Sequence, residues 1–458
     1  MANKELLIKT LKHEKFTGGP VPWVPFAGVH AGKLTGYTAT EVLKDEEKLF
    51  KSVLEVNRIY KPQGQPVVFD LQLEAEILGC ELVWADDSPP SVRSHPLEDE
   101  AIVPCDCKIP RETDGRLPIV LNVMRRLKAE VGQDTLLYGL LCGPFTLASH
   151  LRGTDLFMDM YDDEDYVHRL LAFCTRVAKR LADYYLEAGM DVIAPVDPMI
   201  SQISADHFAD FVQGPYTELF DHIRAKGAYS AFFVCGDATR NIEGMCNTGC
   251  DSLHVDENVD LLAAKRITDA YNVALGGNIP LTTVMLTGNQ QDNMKYVLDL
   301  YDSIADKTNF ILAPGCDMPY DTPVENTIAA YIAASEPDKV REMVANYTLS
   351  DHSVAVELPD YANLKKPLIE IFTLDWATCA ACTYMKYAVD AVMKDFAGKV
   401  DYEVYKYITP EEVGRMKQLG VKNLPSTYIN GKLKFSSITP SRKDLEEALE
   451  QAFNEIKA

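Results

Sequence analysis

The stretch TLLYGLLCGPFTLASHLRG, residues 135–153, sets the cadence on which the fold rests. Residues 135–141 read as a buried strand, a Cys-Gly-Pro turn follows, and a helix begins beyond it. The same order recurs on both sides. PVPWVPF (20–26), PVVFDL (66–71), DVIAPV (191–196), YSAFFVC (229–235), DSLHVD (251–256), NVALGG (272–277) and NFILAP (309–314) are short apolar stretches bounded by turn residues. With 135–141 they make eight, and helical periodicities such as Glu41–Tyr60, Val167–Gly189 and Ala205–Lys226 lie between them. Alternating strands and helices build a parallel sheet. Eight βα repeats close it into a TIM (β/α)8 barrel of the α/β class, with the active site at the C-terminal ends of the strands. Residues 85–116, rich in Pro, Asp and Cys, read as an insertion between the second and third strands.

After the eighth stretch, TPVENTIAAYIAASE and PDKVREMVANY read as closing helices, so the barrel domain spans 1–348. Residues 349–366 are polar and irregular, which suits a linker. From Pro367 the pattern restarts as strand, helix, strand, helix, two strands and a final helix. Residues 367–458 therefore form a second α/β domain.

The 458 residues are 25% charged and 47% hydrophobic, ordinary globular values that argue against disorder. No apolar run approaches the roughly 20 residues a membrane-spanning helix needs. The net charge of -23, from 45 basic and 68 acidic side chains, repels nucleic acid and anionic lipid. Small molecules and other proteins, copies of the chain itself included, remain as partners. The opening MANKELLIKTLKHEKF lacks the apolar core of a secretory signal, which points to the cytoplasm. Eleven cysteines, an odd and scattered set, do not make a disulfide framework. In a reducing compartment they serve as core, metal ligands or redox groups.

Cys379-Ala380-Ala381-Cys382 follows an apolar strand and opens a helix. Unpaired amides at a helix N-terminus stabilise an anion, so Cys379 can be a thiolate while Cys382 resolves a mixed disulfide. Half of a zinc site is the rival reading, and no second CxxC with zinc spacing lies nearby. Leu424-Pro425 precedes a strand, where a cis proline would pack against the dithiol. Through CAAC, its helix and LPSTYINGK, residues 367–458 resemble the thioredoxin family. One departure stands out: that family's tryptophan directly precedes the first Cys, whereas Trp376 lies three residues upstream.

Two cysteines end barrel strands, Cys235 in FFVCGDATR and Cys316 in LAPGCDMP. Thiolates reaching into a barrel mouth are what zinc requires, and zinc in turn holds a thiol deprotonated. Across residues 5–345 the barrel resembles the uroporphyrinogen decarboxylase superfamily. VVFDLQLEAEILGCEL, LLCGPFTLASHLRG, YYLEAGMDVIAPVDPMISQIS, VCGDATRNIEGMCNTGCDSLHVDENVDL, LGGNIP and LAPGCDMPYDTPVEN carry the likeness. The superfamily divides into decarboxylases of tetrapyrroles and cobalamin-dependent methyltransferases. Decarboxylases hold substrate carboxylates with two arginines after the first strand, and the equivalent stretch here has only Lys33. Asp70 matches the decarboxylase Asp that faces the pyrroles, while EAEILGC and Gly315-Cys316 look like the methyltransferase branch, which the balance favours.

What the methyltransferase likeness implies is a zinc site of His-x-Cys and a later Cys. Here the tripeptide is Phe233-Val234-Cys235, so the site is either metal-free or completed by another group. His254 is the substitute to test, because it shares strand parity with Asp256 and projects inward with it. The likeness further places substrate contacts at His30 just past the first strand, while Cys142, beside Gly143-Pro144 at the third strand's C-terminal end, would face the mouth, and Asp256 on the inward face joins them as a substrate-pocket candidate. It implies methyl transfer between a corrinoid on a separate corrinoid-binding protein and a small thiol or methyl donor, since no DxHxxG-type corrinoid segment is present. Cys105 with Cys107, and Cys246 with Cys250, read as surface or core thiols; Cys80 and Cys174 read as core. A decarboxylase or lyase on the same barrel, and a silent barrel carrying a disulfide reductase, are the rival readings. The attached dithiol would keep barrel thiolates reduced, reduce a partner, or release a thiol-bound product.

Overall fold

A computed structural model describes residues 4–15, 19–351, 353–374, 380–437 and 440–457. These fall into two compact units, one of Met1–Ile200 with Ser204–Ser350, the other of Ser201–Ile203 with Asp351–Ala458.

In the first unit, seven parallel strands follow one another in chain order around the sheet. They are β1 (Gly64–Pro66), β2 (Leu136–Cys142), β3 (Val192–Val196), β4 (Tyr229–Val234), β5 (Ser252–Val255), β6 (Ala274–Ile279) and β7 (Phe310–Pro314). The expected strand at 20–26 is not a continuous strand. It contributes one parallel bridge, Trp23 to Leu312. Pro20, Pro22 and Pro25 have no amide hydrogen to give a ladder, which limits this segment to a few bonds. Those bonds still join both edges of the sheet. Val24 N–H donates to the Leu312 carbonyl and Leu312 N–H to that of Pro22, while Gln63 and Gly64 N–H groups donate to Trp23. The barrel is thus closed, as the sequence indicated.

Each strand hands over to a helix that covers it. The long Glu164–Glu187 helix is capped by Asp163, whose side chain accepts from Tyr166 N–H. The helical stretch from 205 to 226 is broken by a π-helical turn at Phe208–Val212. The expected insertion holds a short antiparallel hairpin, Leu82–Val83 with Ser91–Val92, and otherwise irregular chain. Inside the barrel, alternate residues form a layer of Phe26, Phe69, Tyr138, Val196 and Phe233. Phe26 and Phe233 pack at 4.6 Å between ring centres.

In the second unit, β8 (Leu368–Thr373) lies between β9 (Asp401–Lys406) and β10 (Ser426–Ile429), with β11 (Lys432–Ser436) at the far edge. β8 and β9 are parallel, whereas β10 runs antiparallel to β8 and β11. Ile369, Ile371, Met385, Val389, Leu445 and Leu449 form the core beneath them. The Leu424–Pro425 peptide is cis, in agreement with the sequence reading. Among the described residues no helix is long and apolar enough to cross a membrane.

Candidate functional site

The C-terminal ends of the barrel strands bring together groups far apart in sequence. Cys235 follows β4 and Cys316 follows β7, with two strands between them in the sheet. Their Cα atoms nevertheless lie 5.7 Å apart and the sulfurs are bonded to each other. Both residues are half-buried. The segment after β5 supports both cysteine turns. The Asp256 carboxylate accepts a hydrogen bond from Gly236 N–H beside Cys235 and two more from Asn258. Gly315, beside Cys316, packs so closely on Glu257 that a Cβ there would lie 2.7 Å from its backbone nitrogen. Burial raises the carboxyl pKa of both Asp256 and Glu257, and their proximity raises that of Glu257 further.

Asp317 adds a third such group. Its carboxyl lies against Gly28, where any Cβ would collide with it, and Gly28 has φ +34°. Oδ1 of Asp317 is buried without a hydrogen bond, and burial lifts its pKa well above the ordinary range.

A second cluster lies at the end of β2. Glu74 on the Leu73–Ile77 helix accepts from Cys142 N–H at 2.9 Å, while its other oxygen is buried without a hydrogen bond. Burial raises this carboxyl to about 7. Nearby, Arg116 donates to Asp70 at 2.5 Å and to Glu76 at 2.7 Å, and its guanidinium stands 4.9 Å over the Trp84 ring. Nη2 of Arg116 is buried and makes no hydrogen bond. The expected catalytic Asp70 is thus bound in a buried ion pair, and removal of Arg116 would leave its charge uncompensated.

The other expected site residues divide by what surrounds them. The Cys142 thiol is buried beside Glu74 and Asp197, and burial holds it well above its ordinary pKa. His30 uses both ring nitrogens, one against the Tyr320 carbonyl at 2.9 Å and one against the Tyr60 hydroxyl at 2.6 Å. Burial lowers its pKa to about 4, so the ring is neutral, with Nδ1 donating and Nε2 accepting. It ties the first segment to the loop after β7. Lys33 pairs with exposed Asp321. Cys379 lies outside the described residues; Cys382 is buried and disulfide-bonded.

The zinc expectation does not fit the side chains present. Phe233 takes the place of the imidazole implied by the methyltransferase likeness and offers no ligand atom. His254 stands in the aromatic layer, its ring 5.7 Å from Phe233, 5.2 Å from Phe26 and 6.4 Å from Tyr138. Its two nitrogens are buried without hydrogen bonds, and burial lowers its pKa to about 3. Among the described residues no three His, Cys, Asp or Glu side chains converge as a metal site.

Sequence reasoning missed Glu74, Glu257 and Asp317. Glu74 had a signal, a carboxylate on the buried side of a short helix, whereas the other two had only their nearness to strand ends. Of the remaining cysteines, Cys105 and Cys107 are bonded to each other, while Cys80, Cys142, Cys174, Cys246 and Cys250 are buried and free.

Comparison with known proteins agrees with this architecture. The family described as "Uroporphyrinogen decarboxylase (URO-D)" matches residues 2–336, and "Thioredoxin domain" matches residues 369–450. The chain is 26% identical over 328 residues to the methylcobamide:CoM methyltransferase MtbA of Methanosarcina acetivorans, covering 70% of this chain and 94% of that protein. For MtaA of Methanosarcina barkeri the identity is 27% over 345 residues, 72% of this chain and 98% of the relative. The uroporphyrinogen decarboxylase of Nostoc punctiforme is 23% identical over 305 residues, 64% and 84% of the two chains. Among solved structures, a methyltransferase from Methanosarcina mazei shares the fold with a TM-score of 0.65 and 24% identity, over 74% of this chain and 99% of that one. The chain belongs to the uroporphyrinogen decarboxylase (URO-D) family and carries a thioredoxin domain at its C-terminal end.

Proposed function

We propose that the barrel transfers a methyl group between a corrinoid carried by a separate protein and a small thiol or methylated substrate bound at the mouth. The observation that carries this reading is the likeness to methylcobamide:CoM methyltransferases over 94% of the length of one and 98% of another. The corrinoid supplies the methyl-bearing cobalt. This chain supplies position and a place for the proton.

A thiol that accepts a methyl group must lose its proton. Glu74 is suited to take it, because one oxygen is held by Cys142 N–H and the other is free, with a pKa of about 7. The spare N–H of Arg116 offers a donor to an anionic group on the substrate. No step is assigned to zinc, since no third ligand converges with the two cysteines among the described residues. The ion pair of Asp70 with Arg116 removes the support that Asp70 alone lent to a decarboxylase reading.

The test is anaerobic demethylation of methylcobalamin, followed by its visible spectrum, with a panel of small thiols. Thiol-dependent turnover is expected, and Glu74→Gln should slow it by roughly 100-fold. Absence of demethylation with every thiol, in protein of native fold, would overturn the reading.

The C-terminal domain we read as a thiol–disulfide oxidoreductase, supported by its thioredoxin match, the bonded Cys382 and the cis Pro425. Reduction of insulin disulfides by the full chain, lost in Cys382→Ser, is the expected result; activity that survives the substitution would refute it.

A further inference from the structure

We propose that Cys105 and Cys107 form a redox site on the surface of the barrel unit, one that exchanges with low-molecular-weight thiols and disulfides from solution. The site lies wholly within the first compact unit, in the irregular insertion that precedes the Leu117–Val131 helix. It stands apart from both the methyl transfer and the C-terminal domain.

Three observations support it. The first is the spacing: the two sulfurs are bonded to each other across a single intervening residue. A crosslink stabilises mainly through the loop it closes, and a loop this short removes little freedom from the unfolded chain. The bond therefore does little as a staple. The second is access. Cys105, Asp106, Cys107 and Lys108 are all exposed, whereas the five free cysteines are buried and Cys235 and Cys316 are half-buried. Among the described cysteines these two alone are exposed, so an attacking thiolate meets either sulfur without a change of fold. The third is charge. Asp106 stands between the cysteines, and Arg176 on the Glu164–Glu187 helix pairs with its carboxylate at 2.8 Å. The pair offsets a negative charge that would oppose a thiolate, and it ties the Asp106–Lys108 turn to a long helix. Lys108 adds a cation directly after Cys107. Positive charge beside a sulfur favours its departure as a thiolate.

The small thiol is the only co-reactant the exchange needs. Its thiolate attacks one sulfur, the Cys105–Cys107 bond breaks, and a mixed disulfide forms. The displaced sulfur leaves as a thiolate and takes a proton from water. A second thiolate attacks the small-molecule sulfur of the mixed disulfide, so that the small-molecule disulfide forms and the second cysteine is released to take its own proton. Two electrons have passed from two thiols to the pair. In reverse, a small-molecule disulfide oxidises the pair, which thus follows the thiol–disulfide ratio of its surroundings. The bonded pair in the structure is the oxidised end of this exchange.

Trypsin cuts after Arg93 and Lys108, so residues 94–108 form one peptide that holds Cys105, Cys107 and no other cysteine. The full chain is oxidised with glutathione disulfide, then treated with reduced glutathione under native conditions. Samples are alkylated with N-ethylmaleimide at intervals, digested and read by mass spectrometry. The peptide should begin internally bonded and take up a maleimide on each sulfur as the bond opens. Opening in the folded chain should be at least as fast as in the isolated, oxidised 94–108 peptide, because the fold shields neither sulfur. Arg176→Gln, which leaves the Asp106 charge unpaired, should slow opening in the folded chain by about two- to fivefold. Cys107→Ser has no second thiol to displace an adduct and should retain glutathione on Cys105 after treatment with glutathione disulfide. Free thiols at both positions after oxidation of the wild-type chain, or a bond that opens more slowly in the folded chain than in the isolated peptide, would overturn the proposal.

Discussion

At Phe233 an aromatic ring fills the position where the methyltransferase likeness implies an imidazole. It packs on Phe26, Phe69 and the ring of His254. Two consequences follow at this scale. Phe233→His should supply the missing third ligand beside Cys235 and Cys316, and reduced protein should then bind zinc at least tenfold more tightly than wild type in a chelator competition. Phe233→Ala should cost about 3–5 kcal/mol by opening a cavity in the barrel layer, read from denaturant unfolding. The cysteine pair was legible in the sequence because both members end apolar strands and are followed by turn residues. Asp70 and His30 were legible as mouth residues but not in role. Their partners Arg116, Tyr60 and Tyr320 lie 46, 30 and 290 positions away, and nothing local reveals whether a polar side chain is already engaged. Glu257 and Asp317 stayed hidden for the related reason that burial, the largest cause of their raised pKa values, is a property of the folded barrel.

Among elements, the turn between β2 and the Pro144–Arg152 helix shows how strand ends are held. Asp197 after β3 accepts from Phe145 N–H, Thr146 N–H, the Thr146 hydroxyl and the Tyr216 hydroxyl. Gly143 leaves the room, since a Cβ there would lie 2.4 Å from the Asp197 side chain. Asp197→Asn should therefore destabilise the barrel by roughly 2–4 kcal/mol, through donors left without an acceptor, with thermal unfolding as the measurement. The Leu73–Ile77 helix carries a pH signature. Glu74 holds its proton more tightly folded, at about 7, than at its ordinary value of 4.5. The folded state binds more protons between those limits, so this contribution to stability is largest in acid, falls from about pH 4.5 to 7, and is flat above. Glu74→Gln should flatten that slope and raise the thermal midpoint at pH 8 relative to wild type. Element types were mostly readable, because strand and helix alternated with clear turns. The exceptions were the 20–26 segment, where three prolines permit closure without a regular ladder, and the 66–71 segment, where the strand is Gly64–Pro66 and the chain leaves the ladder beyond it.

On the scale of the whole molecule, two cores with separate hydrophobic clusters imply two unfolding events. Calorimetry of the full chain should resolve two transitions, and Leu449→Ala should lower only one of them; a single transition that moves as a unit would contradict this. The two-domain order was legible because the strand–helix cadence stops at the linker and restarts at Pro367. The docking partner was not, since a net charge of -23 selects no particular protein. The closure at Trp23 has a further consequence for motion. Elsewhere each strand is held along a ladder, as β2 is to β3 over Tyr138–Cys142, whereas the seam hangs on a handful of amides at Val24, Gln63, Gly64 and Leu312. Opening free energy follows local hydrogen bonding and contact density. In deuterated water the amides of Val24 and Leu312 should therefore exchange well before that of Leu140. Cys316 lies four residues beyond the seam and Gly28 four residues beyond Val24, so breathing at this line is felt first at the mouth.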